Sequence, residues 1–147
     1  MQIFSETIEI DAPDHLVYEV IADLPHYREW NPWIYHAEGQ ATPGGRVVVK
    51  MRMLGKERCF DHRVLSTQPP HTFHWCDVGW FTALAYGDRL RKIERIADDK
   101  CRYQVDLRIK GVAEHLTRWL LGNALAQGMR QETFALKARA ENLYRTR

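Results

Sequence analysis

A chain of 147 residues, 45% hydrophobic and 27% charged, has the size and make-up of one globular domain spanning residues 1–147, able to bury a core without metal or disulfide. A net charge of +2, with Arg spread among Asp and Glu, gives no basis for nucleic-acid binding. No apolar run follows Met1 or reaches membrane-spanning length, and three irregularly spaced Cys fit a reducing compartment, so a cytoplasmic protein without an integral membrane segment is expected.

Ile3 to Ile10 is rich in β-branched residues and reads as a strand. Asp11-Ala-Pro13-Asp14 breaks it, and Pro13 suits the first position of a helix carrying Leu16, Val17, Val20 and Ile21 through Asp23. Pro25 ends or restarts that helix, leaving a short turn over His26 to Trp30 before Asn31-Pro32. Strand-like runs follow: Ile34 to Glu38, Val47 to Met53 after the Gly44-Gly45 turn, and Arg58 to Leu65. Gln68-Pro69-Pro70 turns the chain into a returning strand, Thr72 to Cys76. Tyr86 to Ile96 comes next, with Arg89, Arg91 and Lys92 read as a solvated strand face beside Asp88 and Glu94. After the polar turn 97–100, Tyr103, Val105, Leu107 and Ile109 alternate with polar residues, as in a strand with one dry face.

Gly111 ends the strands. From Val112 to about Tyr144 there is no proline, and the Ala-, Leu-, Gln-, Glu- and Arg-rich composition predicts one helix of about 30 residues. It carries two apolar stripes, Leu121-Leu125-Met129-Leu136-Leu143 and Leu116-Leu120-Ala124-Phe134-Ala138, which predicts deep burial. Gly122 and Gly128 mark possible close packing. The order strand, two short helices, six strands, long helix implies an α+β fold: a curved antiparallel meander with the long helix in its concave face. A cavity arises where helix and sheet splay apart.

The opening Ile8-Glu-Ile-Asp-Ala-Pro13, together with Asp23-Leu-Pro-His-Tyr27-Arg-Glu-Trp30-Asn-Pro32-Trp33, resembles the START-like (SRPBCC) superfamily. That superfamily is the helix-grip group of polyketide cyclase/dehydrase-like and lipid-transfer proteins. Gln68-Pro-Pro-His-Thr-Phe73-His-Trp75 resembles the group's proline turn and following strand, and Leu136-Lys137 and Glu141 match its closing helix. The resemblance implies a seven-stranded sheet gripping the C-terminal helix and an internal cavity with its mouth among loops at one end. It implies no shared catalytic residues. By position it places Phe73 and Trp75 on the inner face of one strand, with Phe60, His62 and Val64 on the neighbouring one.

His62 is the weak catalytic candidate, a histidine in an apolar cavity able to act as acid or base; the bland alternative is an ordinary hydrogen-bonded residue at the core's edge. Arg58, Asp61, Arg89 and Arg91 lie near it in strand order; an inward one among them would pair with a ligand carboxylate or phenolate, and otherwise they are rim charges. Candidate ligand contacts elsewhere are Val49 and Met51 on one strand, Leu107 on another, and Leu125 and Met129 on the helix, where core packing explains them equally well. Trp33 sits in the corner with Tyr27 and Trp30, either plugging the end of the sheet or touching ligand. Val78-Gly79-Trp80-Phe81 with Leu84 is apolar where a loop should be polar, so residues 78–84 form a lid over the mouth or a dimer contact. No Cys/His spacing of a metal site, no phosphate loop and no nucleophile elbow is present, so neither metal nor cofactor is expected.

Three functions fit. The first is binding of a hydrophobic lipid, isoprenoid, quinone or aromatic polyketide-like molecule. The second is a cyclase, aromatase or dehydratase acting in the same cavity. The third is an interaction module docking through residues 78–84. Inward facing of His62 with a polar partner favours the enzyme; an all-apolar lining favours carriage; a collapsed interior favours docking.

Overall fold

A computed structural model describes all residues, Met1–Arg147. The chain runs β1 (Gln2–Ile10), α1 (Asp14–Ala22), a 3-10 helix (Leu24–Glu29), β2 (Ile34–Gly39), β3 (Arg46–Met53), β4 (Lys56–Gln68) and β5 (Thr72–Val78). A second 3-10 helix (Trp80–Ala83), β6 (Tyr86–Ala97), β7 (Lys100–Lys110) and α2 (Glu114–Thr146) complete it. The strands form one antiparallel sheet in the order β1-β7-β6-β5-β4-β3-β2. This is the helix-grip architecture that the alternating strands and the long proline-free segment foretell.

Local rules set the strand ends. β3 and β4 are joined by the two-residue turn Leu54-Gly55, with φ of 54° and 73°. Two left-handed residues match the twist of a tight hairpin, which is why β4 starts at Lys56, before the expected Arg58. Leu54 is 63% exposed, so its side chain gains little there to offset the strain. The β4–β5 ladder shifts register between Val64 and Ser66. Cys59 stands opposite Lys50 and Cys76 opposite Arg63, so these two thiols do not meet across the sheet. All three cysteines are free.

One core of 26 buried residues lies between the concave face of the sheet, α1 and α2. Trp75, Phe73, Tyr103 and Val105 supply it from the sheet, Leu16, Val17 and Ile21 from α1, and Met129, Leu136 and Ala140 from α2. Polar ties fix α2 along β1. The Met1 ammonium meets Glu114 Oε1 at 2.7 Å, Lys137 Nζ donates to the Glu9 carbonyl at 2.9 Å, and the Asp11 amide donates to Glu141 Oε2 at 3.1 Å.

The helix departs from its expected depth of burial. Of the second stripe, Leu116, Leu120 and Phe134 are more than half exposed. The sheet reaches only one side of α2, so one stripe is covered and the other is left outside. Gly128 earns its place on the covered side: a Cβ there would lie 2.4 Å from Trp33 Nε1. Only glycine lets the indole come this close to the helix backbone. No helix is long and apolar enough to cross a membrane.

Candidate functional site

Between sheet and α2, toward the α2 N-terminus, helix and strands separate around a cavity of about 230 Å³. Its walls are mainly apolar: Met51 and Met53 from β3, Phe60 from β4, Leu107 and Ile109 from β7, and Leu121 and Leu125 from α2. Trp33 and Ile34, with Phe81 and Ala85 from the β5–β6 connection, complete the apolar lining. Four polar side chains interrupt this lining: His62, Asp77, Arg89 and Thr117.

His62 points inward from β4, diagonal to Trp75 rather than directly across from it, because the register pairs His62 with Asp77 and Val64 with Trp75. Its imidazole stacks on the Trp75 indole at 5.0 Å between centroids and 19° between planes. Nε2 lies 2.9 Å from Asp77 Oδ1, and Asp77 Oδ2 accepts the Gly87 amide at 3.1 Å. A Cβ on Gly87 would stand 2.6 Å from that oxygen, so a side chain there would displace the carboxylate. Nδ1, on the other side of the ring, is buried without a hydrogen-bond partner.

The floor is the part that strand periodicity misreads. Arg89 and Arg91, expected on a solvated face, point inward from β6 and are 5% and 2% exposed. Both meet one carboxylate, Glu132 of α2, itself 3% exposed. Arg89 Nη2 donates to Glu132 Oε1, and Arg91 Nη2 stands 3.6 Å from the same oxygen. Asn31 Nδ2 donates to Glu132 Oε2 at 2.8 Å, while Asn31 Oδ1 accepts the Trp33 and Ile34 amides at 3.0 and 2.8 Å. The Arg91 guanidinium lies 4.4 Å from the centre of the Trp75 ring, and Arg89 lies 5.1 Å from that of Trp33.

Burial alone would raise the Glu132 carboxyl. Arg89, Arg91 and the Asn31 amide outweigh it and hold the group below the usual carboxylate range. Burial lowers the Arg89 guanidinium, with Arg91 adding to the effect. Burial pushes the neighbouring Tyr27 and Tyr103 hydroxyls up, so both stay neutral.

Of the residues singled out in the sequence, Trp33, Met51, Phe60, His62, Phe81, Leu107 and Leu125 come together around the cavity. Val49, Phe73, Trp75 and Met129 do not line it; they are buried in the core beyond it. Phe73 is covered by Tyr18 of α1, 6.2 Å away, and by Arg91, and Trp75 is sandwiched by His62 and Arg91. The Arg–Glu floor thus ends the cavity short of them. Trp80 is 85% exposed and Leu84 is exposed as well, while Phe81 turns in to pack on Phe60, 6.1 Å away, so residues 78–84 present apolar side chains both inside and outside. The interior is open rather than collapsed. Asp77, Thr117 and Glu132 were not singled out in the sequence, and Arg89, read first as a solvated charge, takes the inward position that the sequence left as the alternative. The available signal was Glu132 itself, an acid on the Met129–Leu136 stripe. No group of three His, Cys, Asp or Glu side chains converges as a metal site would require.

A long helix clasped by a seven-stranded sheet, with a mostly apolar cavity between them, defines a helix-grip protein of the START-like class. The chain belongs to the family described as polyketide cyclase / dehydrase and lipid transport, which it matches over residues 1–143. No curated protein matches its sequence. Among solved structures it is similar to a START superfamily protein from Mycobacterium smegmatis, at 19% identity and a TM-score of 0.77, over 96% of this chain and 98% of that one. It is also similar to the Zhui aromatase/cyclase from Streptomyces sp. R1128, at 16% identity and a TM-score of 0.79, over 99% and 96% of the two chains. It matches half of the di-domain aromatase/cyclase BexL from the BE-7585A biosynthetic pathway, at 17% identity and a TM-score of 0.74, over 95% of this chain and 50% of that one. At these identities the likeness is one of fold.

Proposed function

We propose that this protein binds a small, mostly apolar molecule in the cavity between sheet and α2. The supporting observation is the lining: apolar side chains on most sides with a few inward polar groups at fixed positions, the usual make-up of a small-molecule site. At about 230 Å³ the space falls just below the ~300–1,000 Å³ typical of drug-sized ligands, so one or two rings or a short chain suits it better than a long lipid. Native mass spectrometry of the freshly purified protein tests this, with thermal-shift screening of short fatty acids, quinones and flavonoids beside it. A co-purified or stabilising ligand is expected, and Leu121→Trp, which fills the cavity, should abolish its effect. Absence of both a bound molecule and any thermal shift would sink the proposal.

A second function is favoured by one feature, the inward His62 backed by Asp77. With Nε2 held by the carboxylate, Nδ1 has no protein partner, and a ring turned off Trp75 toward a bound molecule would take a proton from its acidic C–H or O–H and return it to a departing oxygen. This supports a cyclase- or dehydratase-like role in the same cavity. His62→Phe would then retain binding but end turnover of a poly-β-ketone analogue; unchanged turnover would exclude His62 as the base.

A further inference from the structure

At the cavity floor two guanidinium groups face a single carboxylate. Both oxygens of that carboxylate are already engaged, one by Arg89 and the other by Asn31. Tyr27 and Tyr103 stand beside the cluster with neutral hydroxyls and cannot supply a second anion. Asp77, the remaining acid at the cavity, has one oxygen on His62 and the other on the Gly87 amide. Donors outnumber acceptors as a result: Arg89 Nε has no hydrogen-bond partner, and Arg91 reaches Glu132 Oε1 only at 3.6 Å, with the neutral Tyr103 hydroxyl beside it. Unpaired buried donors of a cation are costly, and such groups ordinarily have an acceptor. Arg89 is the member of the cluster that reaches the cavity wall.

We propose that the ligand is an apolar acid: a small aromatic or aliphatic molecule with one acidic oxygen that docks against Arg89 at the cavity floor, its hydrocarbon part packed toward Phe60, Leu107 and Leu125. This rests on the binding function proposed above and specifies its chemistry. Carboxylates arrive as anions. A phenol or enol arrives protonated: its O–H bond breaks, the proton goes to His62 Nδ1 to form the imidazolium, and the electron pair stays on the oxygen facing Arg89. His62 and Arg89 both pack on the Trp75 indole, at 5.0 and 5.7 Å, so the proton acceptor and the cation flank the same ring.

Three probes of one shape separate the possibilities: 2-naphthoate, 2-naphthol and the neutral 2-naphthamide, titrated by calorimetry and by quenching of tryptophan fluorescence. The naphthoate should bind roughly tenfold or more tighter than the amide, as a charge-assisted contact in a dry site predicts. Bound 2-naphthol should show the naphtholate absorption band at a pH where the free phenol is un-ionised. Arg89→Met should bring the acid-to-amide affinity ratio close to one, whatever it does to the amide itself; Arg89→Lys should restore part of the preference. Equal binding of acid and amide, with no naphtholate band, would overturn the acid site while leaving the cavity's binding function intact. Retention of the acid preference in Arg89→Met would overturn it too. Failure of all three probes to bind would count against both. If Arg89→Met does not fold, the acid-to-amide ratio and the naphthol spectrum of the unaltered protein decide the question.

Discussion

Glu132→Gln is the most informative single change. The substitution keeps the side chain's volume and removes the only carboxylate facing two guanidinium groups that are at most 5% exposed. It also breaks a hydrogen-bond pattern that has no spare orientation. Glu132 accepts from Arg89 on one oxygen and from Asn31 on the other, and an amide has one oxygen to offer. Asn31 cannot flip to accommodate it, because its own oxygen holds the Trp33 and Ile34 amides. Whichever way the new amide turns, one donor faces another and two cations lose their counter-charge. Removing one partner of a buried ion pair costs about 3–5 kcal/mol. That is a large share of the ~5–15 kcal/mol by which domains are stable. At about 2–4 °C per kcal/mol for a chain of this size, the melting temperature should fall by roughly 6–20 °C. Urea unfolding with a comparison of slopes separates a true stability loss from a change in compactness. Arg89→Met should cost less, since it leaves Arg91 and Glu132 as a neutral pair. A Glu132→Gln protein within ~1 kcal/mol of the parent at unchanged slope, or one more stable than Arg89→Met, would refute the account of the floor as a shared-carboxylate cluster.

The same carboxylate sets an acid limb: its folded pKa lies below the unfolded value near ~4.3, so its stabilisation is present above that value and fades as pH falls through the folded one. Urea midpoints should therefore drop below about pH 4, with a shallower drop in Glu132→Gln; parallel curves would rule Glu132 out as a contributor. Gly128→Ala puts a methyl 2.4–2.7 Å from the Trp33 ring and should destabilise by ~1–3 kcal/mol in urea unfolding, although Ala is the better helix former. A stable Gly128→Ala protein would mean that the indole has room to move. Leu54→Asn places the residue preferred for a left-handed hairpin position where a strained, exposed Leu stands, and thermal unfolding should show a gain of ~0.5–1 kcal/mol. No gain would show that the turn carries no strain.

The fold was legible because its rules are local. Tyr103, Val105, Leu107 and Ile109 alternate with polar residues, and all four are buried as the pattern demands. The absence of proline after Gly111 gave the helix almost to its ends. The floor was illegible for a matching reason. Arg89 and Arg91 share a strand face with Ile93, but a pattern that scores charge as outward assigns that face to solvent. What reverses the assignment is Glu132, 43 residues beyond Arg89 on another element. Compensation of one buried charge by another is invisible to any window shorter than that separation. The helix shows the converse error: periodicity finds both of its apolar stripes, yet which one faces the sheet is a matter of tertiary packing, and Leu116, Leu120 and Phe134 are left outside.

The cavity itself follows from where bulk is placed along α2. At the floor, Trp33, Arg89 and Glu132 fill the gap between helix and sheet, and Gly128 is the concession on the helix that lets the largest of them fit. Toward the α2 N-terminus some of the side chains around the gap are short, Thr117 on the helix, Gly87 near the start of β6 and Ala85 just before it, among larger apolar ones. Close packing would ordinarily draw two such surfaces together. Here α2 is held at both ends, by Glu114 and Lys137 along β1 and by the buried cluster below, so the short side chains cannot be followed inward. The charged floor therefore has a mechanical part as well as an electrostatic one. It stands between helix and sheet and bounds the space that a ligand would occupy.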